Sequence, residues 1–373
     1  MSGRQKHANI ALFIPHNGCP HQCAFCNQRT ISGAVSQPTG EDVRAAVRTA
    51  MASPRYESGS SEIAFFGGSF TAIERSYMRE LLEAAAVFVK DGSVGGIRIS
   101  TRPDAIDGEI LEILRRYGVT SIELGAQSMR DEVLQKNRRG HTAQDVVNAS
   151  RLIRQYGFSL GLQMMTGLYG DDDEGARYTA RQLTALHPDT ARIYPTVVLE
   201  GTELADKMRS GAYRPQGYEA AAELCAELLE FFENQGIRVI KLGLHASDGV
   251  EGSMVGGAYH PAFRELCEGI LYYRLMRRML SENYPEGGAF VVTVDRRALS
   301  KASGQKKRNV LRLREEGWKI QLKGVDLEHG EQRSKEDGRR ICQIEPLSQQ
   351  DSAAPAGDYR HSDRARGRVG ERQ

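Results

Sequence analysis

From the N-terminus to about Leu244, short runs rich in β-branched and aromatic residues alternate with longer stretches in which apolar residues recur every three or four positions. The short runs predict strands at Asn9 to Ile14, Glu62 to Phe66, Gly96 to Thr101, Ser121 to Gly125, Phe158 to Met165 and Thr190 to Val198. Between them lie amphipathic helical patterns, such as the apolar stripe of Leu224-Cys-Ala-Glu-Leu-Leu-Glu-Phe-Phe232. Serial βα units with short connections predict parallel strands, right-handed crossovers and helices on the outside. The pattern alone admits either an open doubly wound sheet or one that curls toward a barrel. In both, function gathers in the loops at the carboxyl ends of the strands. Here those loops are the segment after Ile14, Gly67-Gly-Ser-Phe-Thr71, Thr101-Arg-Pro-Asp104, Gly125-Ala-Gln-Ser128 and Thr166-Gly-Leu168.

Beyond Leu244 the texture changes. Gly249, Gly252, Gly256 and Gly257 break the periodicity. A helical pattern follows from Pro261 to Leu280, then a strand-like Ala289 to Val294, a basic run Ser300 to Asn309, an apolar-spaced Leu311 to Glu316, and an alternating Trp318 to Leu322. From about Gly330, Gln, Ser, Arg, Asp and Gly dominate, a composition that buries too little surface to offset chain entropy. The reading is a core over residues 1–245, a small α/β extension over 246–329 and a disordered tail over 330–373. With 40% hydrophobic and 26% charged residues the chain is ordinary for a globular protein. The polar segment Met1 to His7 and the short apolar run Ile10 to Ile14 suit neither a signal peptide nor a membrane span, so cytoplasmic residence without a membrane partner is expected. A net charge of +2 means that any nucleic-acid contact must come from a local patch, for which Lys301 to Lys323 is the candidate; no DNA specificity is evident.

Six cysteines are present, and three of them, Cys19, Cys23 and Cys26, fall within Gly18-Cys-Pro-His-Gln-Cys-Ala-Phe-Cys-Asn27. Thiolates at that spacing can share one metal centre, and three ligands leave a coordination position open. A structural Cys₃His zinc site is the competing reading, although such sites usually present their ligands as two separated pairs. Cys225, Cys267 and Cys342 are scattered; Cys225 sits on an apolar helical stripe, and no disulfide framework is expected. Bland explanations cover several other positions. Gly67-Gly68 suits a turn, Arg138 to Thr142 reads as a helix end followed by a Thr142 cap, and Asp171-Asp172-Asp173 favours the start of a helix. His16, His21, His141, His245 and His260 are single histidines with structural readings as good as functional ones. Arg102, Asp104 and Glu123 are charged residues at or near a rim where the pattern calls for an interior face.

The C-x₃-C-x₂-C loop, with Phe25 before its last cysteine, resembles that of the radical S-adenosylmethionine enzymes. Glu123-Leu-Gly-Ala-Gln-Ser128, Asn137-Arg-Arg-Gly-His-Thr142, Met164-Met-Thr-Gly-Leu168 and Ile193-Tyr-Pro-Thr-Val-Val-Leu-Glu-Gly-Thr202 resemble, in wording and order, the radical domain of the elongator catalytic subunit, a family that modifies the wobble uridine of tRNA. The resemblance implies an α/β fold, a partial (βα)6 TIM-like barrel with a small C-terminal α/β extension. It further implies a [4Fe–4S] cluster on Cys19, Cys23 and Cys26, with S-adenosyl-L-methionine on the fourth iron. Gly67, Gly68 and Ser69 would meet the methionine end, Ser69 standing where the family carries an acid. Arg102, Glu123 and Gln127 would complete the cofactor site. One-electron reduction by a partner such as flavodoxin or ferredoxin would cleave the cofactor to a 5′-deoxyadenosyl radical, with tRNA as the implied substrate. Thr166 and Tyr169 replace prolines frequent in the family, and no acetyl-CoA phosphate-cradling turn is found after Leu275. The alternatives are a tetrapyrrole enzyme of the coproporphyrinogen oxidase type and a non-catalytic metal-binding RNA adaptor.

Overall fold

The structure, a computed structural model, describes residues 8–15, 17–19, 22–27, 30–31, 36–244, 248–326 and 341–347. His16, His21, His245, the side chain of Cys342 and most of the 330–373 tail lie outside the described residues. Seven parallel strands form one open, barrel-like sheet: β1 Ala8–Ile14, β2 Ser61–Gly67, β3 Gly96–Thr101, β4 Val119–Gln127, β5 Ser159–Thr166, β6 Thr190–Pro195 and, after the short β7 Val197–Leu199, β8 Arg238–Leu242. Their order in the sheet is β1-β2-β3-β4-β5-β6-β8. All six expected strands are found, and β8 is added to them. The expected run Thr190 to Val198 is divided after Pro195: β7 leaves the barrel to pair antiparallel with β9 Met254–Gly257.

Alternation along the strands separates two environments. Ile63 and Phe65, Ile97 and Ile99, Ile122 and Leu124, Leu160 and Leu162, and Ala191 and Ile193 point toward the enclosing helices and are buried there. The helix Tyr218–Asn234 covers the β6 and β8 end of this core with Leu224, Cys225, Leu228, Leu229 and Phe232. The helix Ala143–Gln155 begins as expected at Thr142, whose side chain forms a reciprocal capping box with Asp145.

The opposite faces of the same strands line the lumen, and there they carry charge. Fully buried Glu123 accepts from Arg98 Nη1 at 3.1 Å, Arg192 Nη2 at 2.8 Å and Gln163 Nε2 at 3.0 Å. Arg98 also reaches Glu62 at 2.8 Å, and the Arg192 guanidinium lies 4.9 Å from the centre of the Phe66 ring. Gly161 is required beside this cluster, because a Cβ there would stand 2.8 Å from Glu123 Cγ. On the next strand Lys241, half-buried, is paired in register with Arg192. Burial and the Arg192 charge push its ammonium pKa down.

A second core lies C-terminal to the barrel. The helix Phe263–Asn283 gives Phe263, Cys267 and Leu271 to the barrel core, and Tyr272, Tyr273, Met276 and Leu280 to the second core. The latter set packs on a mixed sheet with order β11-β10-β12, made of β10 Gly288–Asp295, β11 Trp318–Val325 parallel to it and β12 Ile341–Pro346 antiparallel to it. β12 falls inside the segment expected to be disordered. It forms because Ile344 alternates inward onto the same core as Phe290, Val292 and Trp318.

The aspartate run at 171–173 divides its labour. Asp172 caps the helix Asp173–Thr184 through Gly175 N at 2.7 Å, whereas Asp171 turns inward, 1% exposed in its side chain, with Oδ2 unpartnered and Arg130 only at 3.5 Å. Burial pushes the Asp171 carboxyl up to about 6.

Two expectations follow. Replacing Glu123 by Ala strands the Arg98 and Arg192 charges in the lumen and should cost about 3 kcal/mol of stability, with Glu123→Gln losing less, as read by thermal unfolding. Asp171 has a folded pKa above its ordinary value of 3.8, so its contribution to stability is present below about pH 4 and lost as pH rises through 6. Asp171→Asn should therefore raise stability at pH 7.5, by about 3 kcal/mol, and leave it nearly unchanged at pH 3.

Candidate metal and cofactor site

The loops at the carboxyl ends of β1, β2 and β3 interlock through their backbones. Gly68 N donates to Ile14 O at 2.7 Å, and Ser69 N donates to Asn17 O at 2.9 Å. This approach is open only to glycine. A Cβ on Gly68 would stand 2.0 Å from Asn17 O, and one on Gly18, whose φ is +71°, would stand 2.3 Å from Ser69 O. The Ser69 hydroxyl, fully buried, meets Thr101 Oγ1 at 2.9 Å and accepts from Arg102 N at 3.1 Å. Ser69 thus ties the second loop to the third. Arg102 is buried and forks onto Asp104 with Nε and Nη2 at 2.9 and 2.8 Å.

The cysteine loop is anchored at its middle. Ala24 N donates to Asn137 O at 3.1 Å, Leu204 N donates to Ala24 O at 2.8 Å, and Cys26 N closes a turn on Cys23 O at 3.1 Å. Phe25 packs with Val198, Leu204, Tyr169 and Tyr213, which holds the last cysteine against the rim. Cys23 is buried, and Cys19 and Cys26 are half-exposed.

Arg139, assigned from sequence to a helix end, reaches into this site. It is 8% exposed, its Nη1 lies 3.1 Å from Cys23 Sγ, and its Nη2 donates to Gly125 O at 2.7 Å. Arg138, in a left-handed conformation, turns the chain so that its own side chain goes outward to Glu203 while Arg139 goes inward. A pair of arginines between a helix and a glycine was the available signal, but it does not say which of the two points inward. His141 is also buried, with Nε2 3.2 Å from Ala126 O. Burial and the Arg139 charge push its imidazole down to about 4, so it is neutral at physiological pH.

Among the described residues no three Cys, His, Asp or Glu side chains are already gathered as a metal-ligand set. The donor chemistry nevertheless suits a thiolate-bound centre. Burial and the neighbouring Cys23 push the Cys19 thiol up, whereas Arg139 and Arg102 oppose that shift, so cationic groups stand ready for ligating thiolates. Asp104, the carboxylate of the third loop, is committed to Arg102. Soft sulfur donors without free carboxylates select iron–sulfur or zinc over hard cations. Polar atoms at this rim that are buried without partners include Arg139 Nε, His141 Nδ1, Asn137 Oδ1 and Gln127 Oε1, the last on a residue with φ +66°. Unpartnered groups of this kind fit a polar cofactor.

The other sequence-derived candidates divide. Gly68, Ser69 and Arg102 lie on the loops at the carboxyl rim, and Gly67 and Gln127 are the last residues of β2 and β4 at that same rim. Glu123 lies within β4, with both carboxylate oxygens engaged by the lumen cations. His260 stands apart, accepting from Ala262 N at 3.1 Å and lying beside Gln305 and the Tyr218 ring. Cys225 and Cys267 are buried core thiols whose pKa burial pushes up, that of Cys225 to about 12.

Comparison with known proteins agrees with this geometry. The profile of the Radical SAM superfamily matches residues 13–183, and that of the Radical_SAM C-terminal domain matches residues 188–272. A tRNA uridine(34) acetyltransferase of Methanocaldococcus jannaschii is 33% identical over 34% of this chain and 24% of its own length. The human Elongator complex protein 3 is 30% identical over 45% of this chain and 34% of its own. The chain thus spans about a quarter to a third of the length of these relatives. The archaeal Elp3 of Methanocaldococcus infernus, lacking its N-terminus, superposes with a TM-score of 0.58 at 22% identity, covering 73% of this chain and 63% of that one. With a cysteine loop at the carboxyl ends of seven parallel strands and consecutive family matches from residue 13 to residue 272, the chain belongs to the radical SAM superfamily of enzymes.

Proposed function

We propose that the protein reductively cleaves S-adenosyl-L-methionine and uses the resulting 5′-deoxyadenosyl radical on tRNA or another RNA. The observation that carries this reading is the cysteine loop itself, seated among interlocked glycine loops at the carboxyl rim with a buried arginine on Cys23. Cys19, Cys23 and Cys26 would hold a [4Fe–4S] cluster, which supplies one-electron reduction at low potential when bound. This chain's own residues would do the rest. Gly67 and Gly68 let backbone groups approach the methionine end. Ser69 lacks the carboxylate that the family carries there, and its hydroxyl instead fixes the third loop, so in this reading its contribution is backbone and position. Arg102 and Arg139 balance the thiolates' charge, Gln127 offers its free carbonyl to the adenosyl part, and Glu123 holds Arg98 and Arg192 in place beneath it.

The RNA half of the proposal rests on the relatives, whose names are tRNA uridine(34) acetyltransferase and Elongator complex protein 3. An external one-electron reductant of the flavodoxin or ferredoxin kind is required. A reducing, cytoplasmic setting suits both the free thiols and the cluster, and among the described residues no helix is long and apolar enough to cross a membrane.

Anaerobic reconstitution with iron and sulfide, reduction with dithionite and assay for 5′-deoxyadenosine test the radical half. Cleavage is expected in the native sequence and should be abolished in the Cys19→Ala, Cys23→Ala, Cys26→Ala variant. Uptake of zinc with neither an iron cluster nor cleavage would leave a metal-binding adaptor as the better reading.

A further inference from the structure

Residues beyond 272 are matched by neither family profile. From β10 to Asp326 this segment carries ten Lys and Arg against four Asp and Glu, a surplus of six positive charges in a chain whose net charge is only +2. The surplus is not spread evenly. β10 leads into the short helix Leu299–Ser303, the turn Gly304-Gln-Lys-Lys307, the helix Arg308–Glu315 and then β11, parallel to β10. The turn at the tip of this helix pair is exposed and cationic.

Its shape is held from beneath. Buried Asn309 donates through Nδ2 to Gly269 O at 2.8 Å and Ala302 O at 3.1 Å, pinning the second helix to the first and to the helix Phe263–Asn283. Gly304 has a φ of +71°, and a Cβ there would stand 2.9 Å from the Asn309 side chain. Lys306 and Lys307 are both in left-handed conformations, with φ of 53° and 62°, and among the described residues neither side chain has a partner. Strand, helix, glycine-led turn, helix and strand is the arrangement by which KH modules clamp a nucleic-acid backbone on a GXXG loop. Here Lys307, itself left-handed, takes the second glycine's place and adds a cation at that point.

The turn also sits where a clamp would be useful. Gln305 Nε2 lies 3.2 Å from His260 Nε2, and Arg308 Nη1 reaches Glu219 at 3.2 Å, at the start of the helix Tyr218–Asn234. Helix starts in a βα barrel lie at the carboxyl ends of the strands. Gly243, just past β8, packs against Phe263 at the start of the other helix. The cationic tip is thus fixed on the same face of the barrel as the cysteine loop.

We propose that Gly304 to Arg308 clamp the sugar–phosphate backbone of single-stranded RNA and hold it over the open barrel. This inference rests on the RNA half of the proposed function and adds the surface that does the holding. The test is fluorescence anisotropy of a short fluorescein-labelled single-stranded RNA, and of an RNA duplex of about 16 base pairs, titrated with the full chain across a range of salt. The variants are Lys306→Glu/Lys307→Glu and the milder Lys306→Gln/Lys307→Gln, with thermal unfolding to show that both fold. Single-strand binding should weaken about tenfold or more in the Glu variant. The slope of log affinity against log salt should become shallower by roughly 1.4 in the Gln variant, about 0.7 for each lost phosphate contact. Binding by the native chain that is unchanged in both variants would overturn the clamp while leaving RNA as the substrate. Equal or tighter binding of the duplex would overturn the single-strand preference. No RNA binding by the native chain would remove the clamp and the RNA half of the proposed function together.

Discussion

The contact between two stretches of backbone, Ile14 to Gly18 and Gly67 to Ser69, fixes everything at the rim. Parallel strands leave their carboxyl-end loops pointing the same way but do not by themselves make those loops touch. Gly18 and Gly68 permit main chain to meet main chain without an intervening side chain. The loop that carries the cysteines is therefore aligned by hydrogen bonds rather than by rotamers. Ser69 extends the seam to Thr101 and Arg102, and Asn137 and Leu204 secure the far side of the cysteine loop. Each anchor comes from a different βα unit, so the rim behaves as one body although its residues are spread over nearly two hundred positions.

Much of this was legible because it is local. The cysteine spacing, the strand runs with buried Ile63, Ile97, Ile122 and Leu160, and the Thr142 cap each depend on neighbours a few residues away. What escaped depends on direction or on distant partners. β8 is five residues long and carries an exposed Arg238 and, facing the lumen, Lys241, so its alternation is masked by charge. β12 brings one described apolar side chain, Ile344, to the second core, and it pairs along the edge that β10 offers. Arg139 points at a cysteine more than a hundred residues away through a turn whose handedness at Arg138 no pattern reveals. Glu123 was legible as an interior charge, but its partners on β3, β5 and β6 were not.

The lumen shows how a parallel barrel departs from the usual burial rule. Both faces of its strands are enclosed, yet one holds Glu62, Arg98, Glu123, Arg192 and Lys241. Such a cluster is poor evidence for stability, since desolvation offsets the Coulombic gain. It makes sense as a preorganised polar floor beneath the rim that carries the cysteine loop, suited to the charged cofactor and polar substrate of the proposed function. Fixed dipoles and charges there need no reorganisation when a ligand arrives.

The helix Phe263–Asn283 belongs to two cores at once, giving its first half to the barrel and its second half to the small sheet. A helix of 21 residues, about 30 Å long, shared in this way, ties the two parts together by packing in both cores. The cationic turn is thus joined through this helix to the barrel that carries the cysteine loop. In the proposed RNA reading the helix would act as a measuring stick: a strand gripped at the turn would present to the cysteine rim whichever nucleotide lies at that interval, so that the target base would be chosen by counting along the polymer.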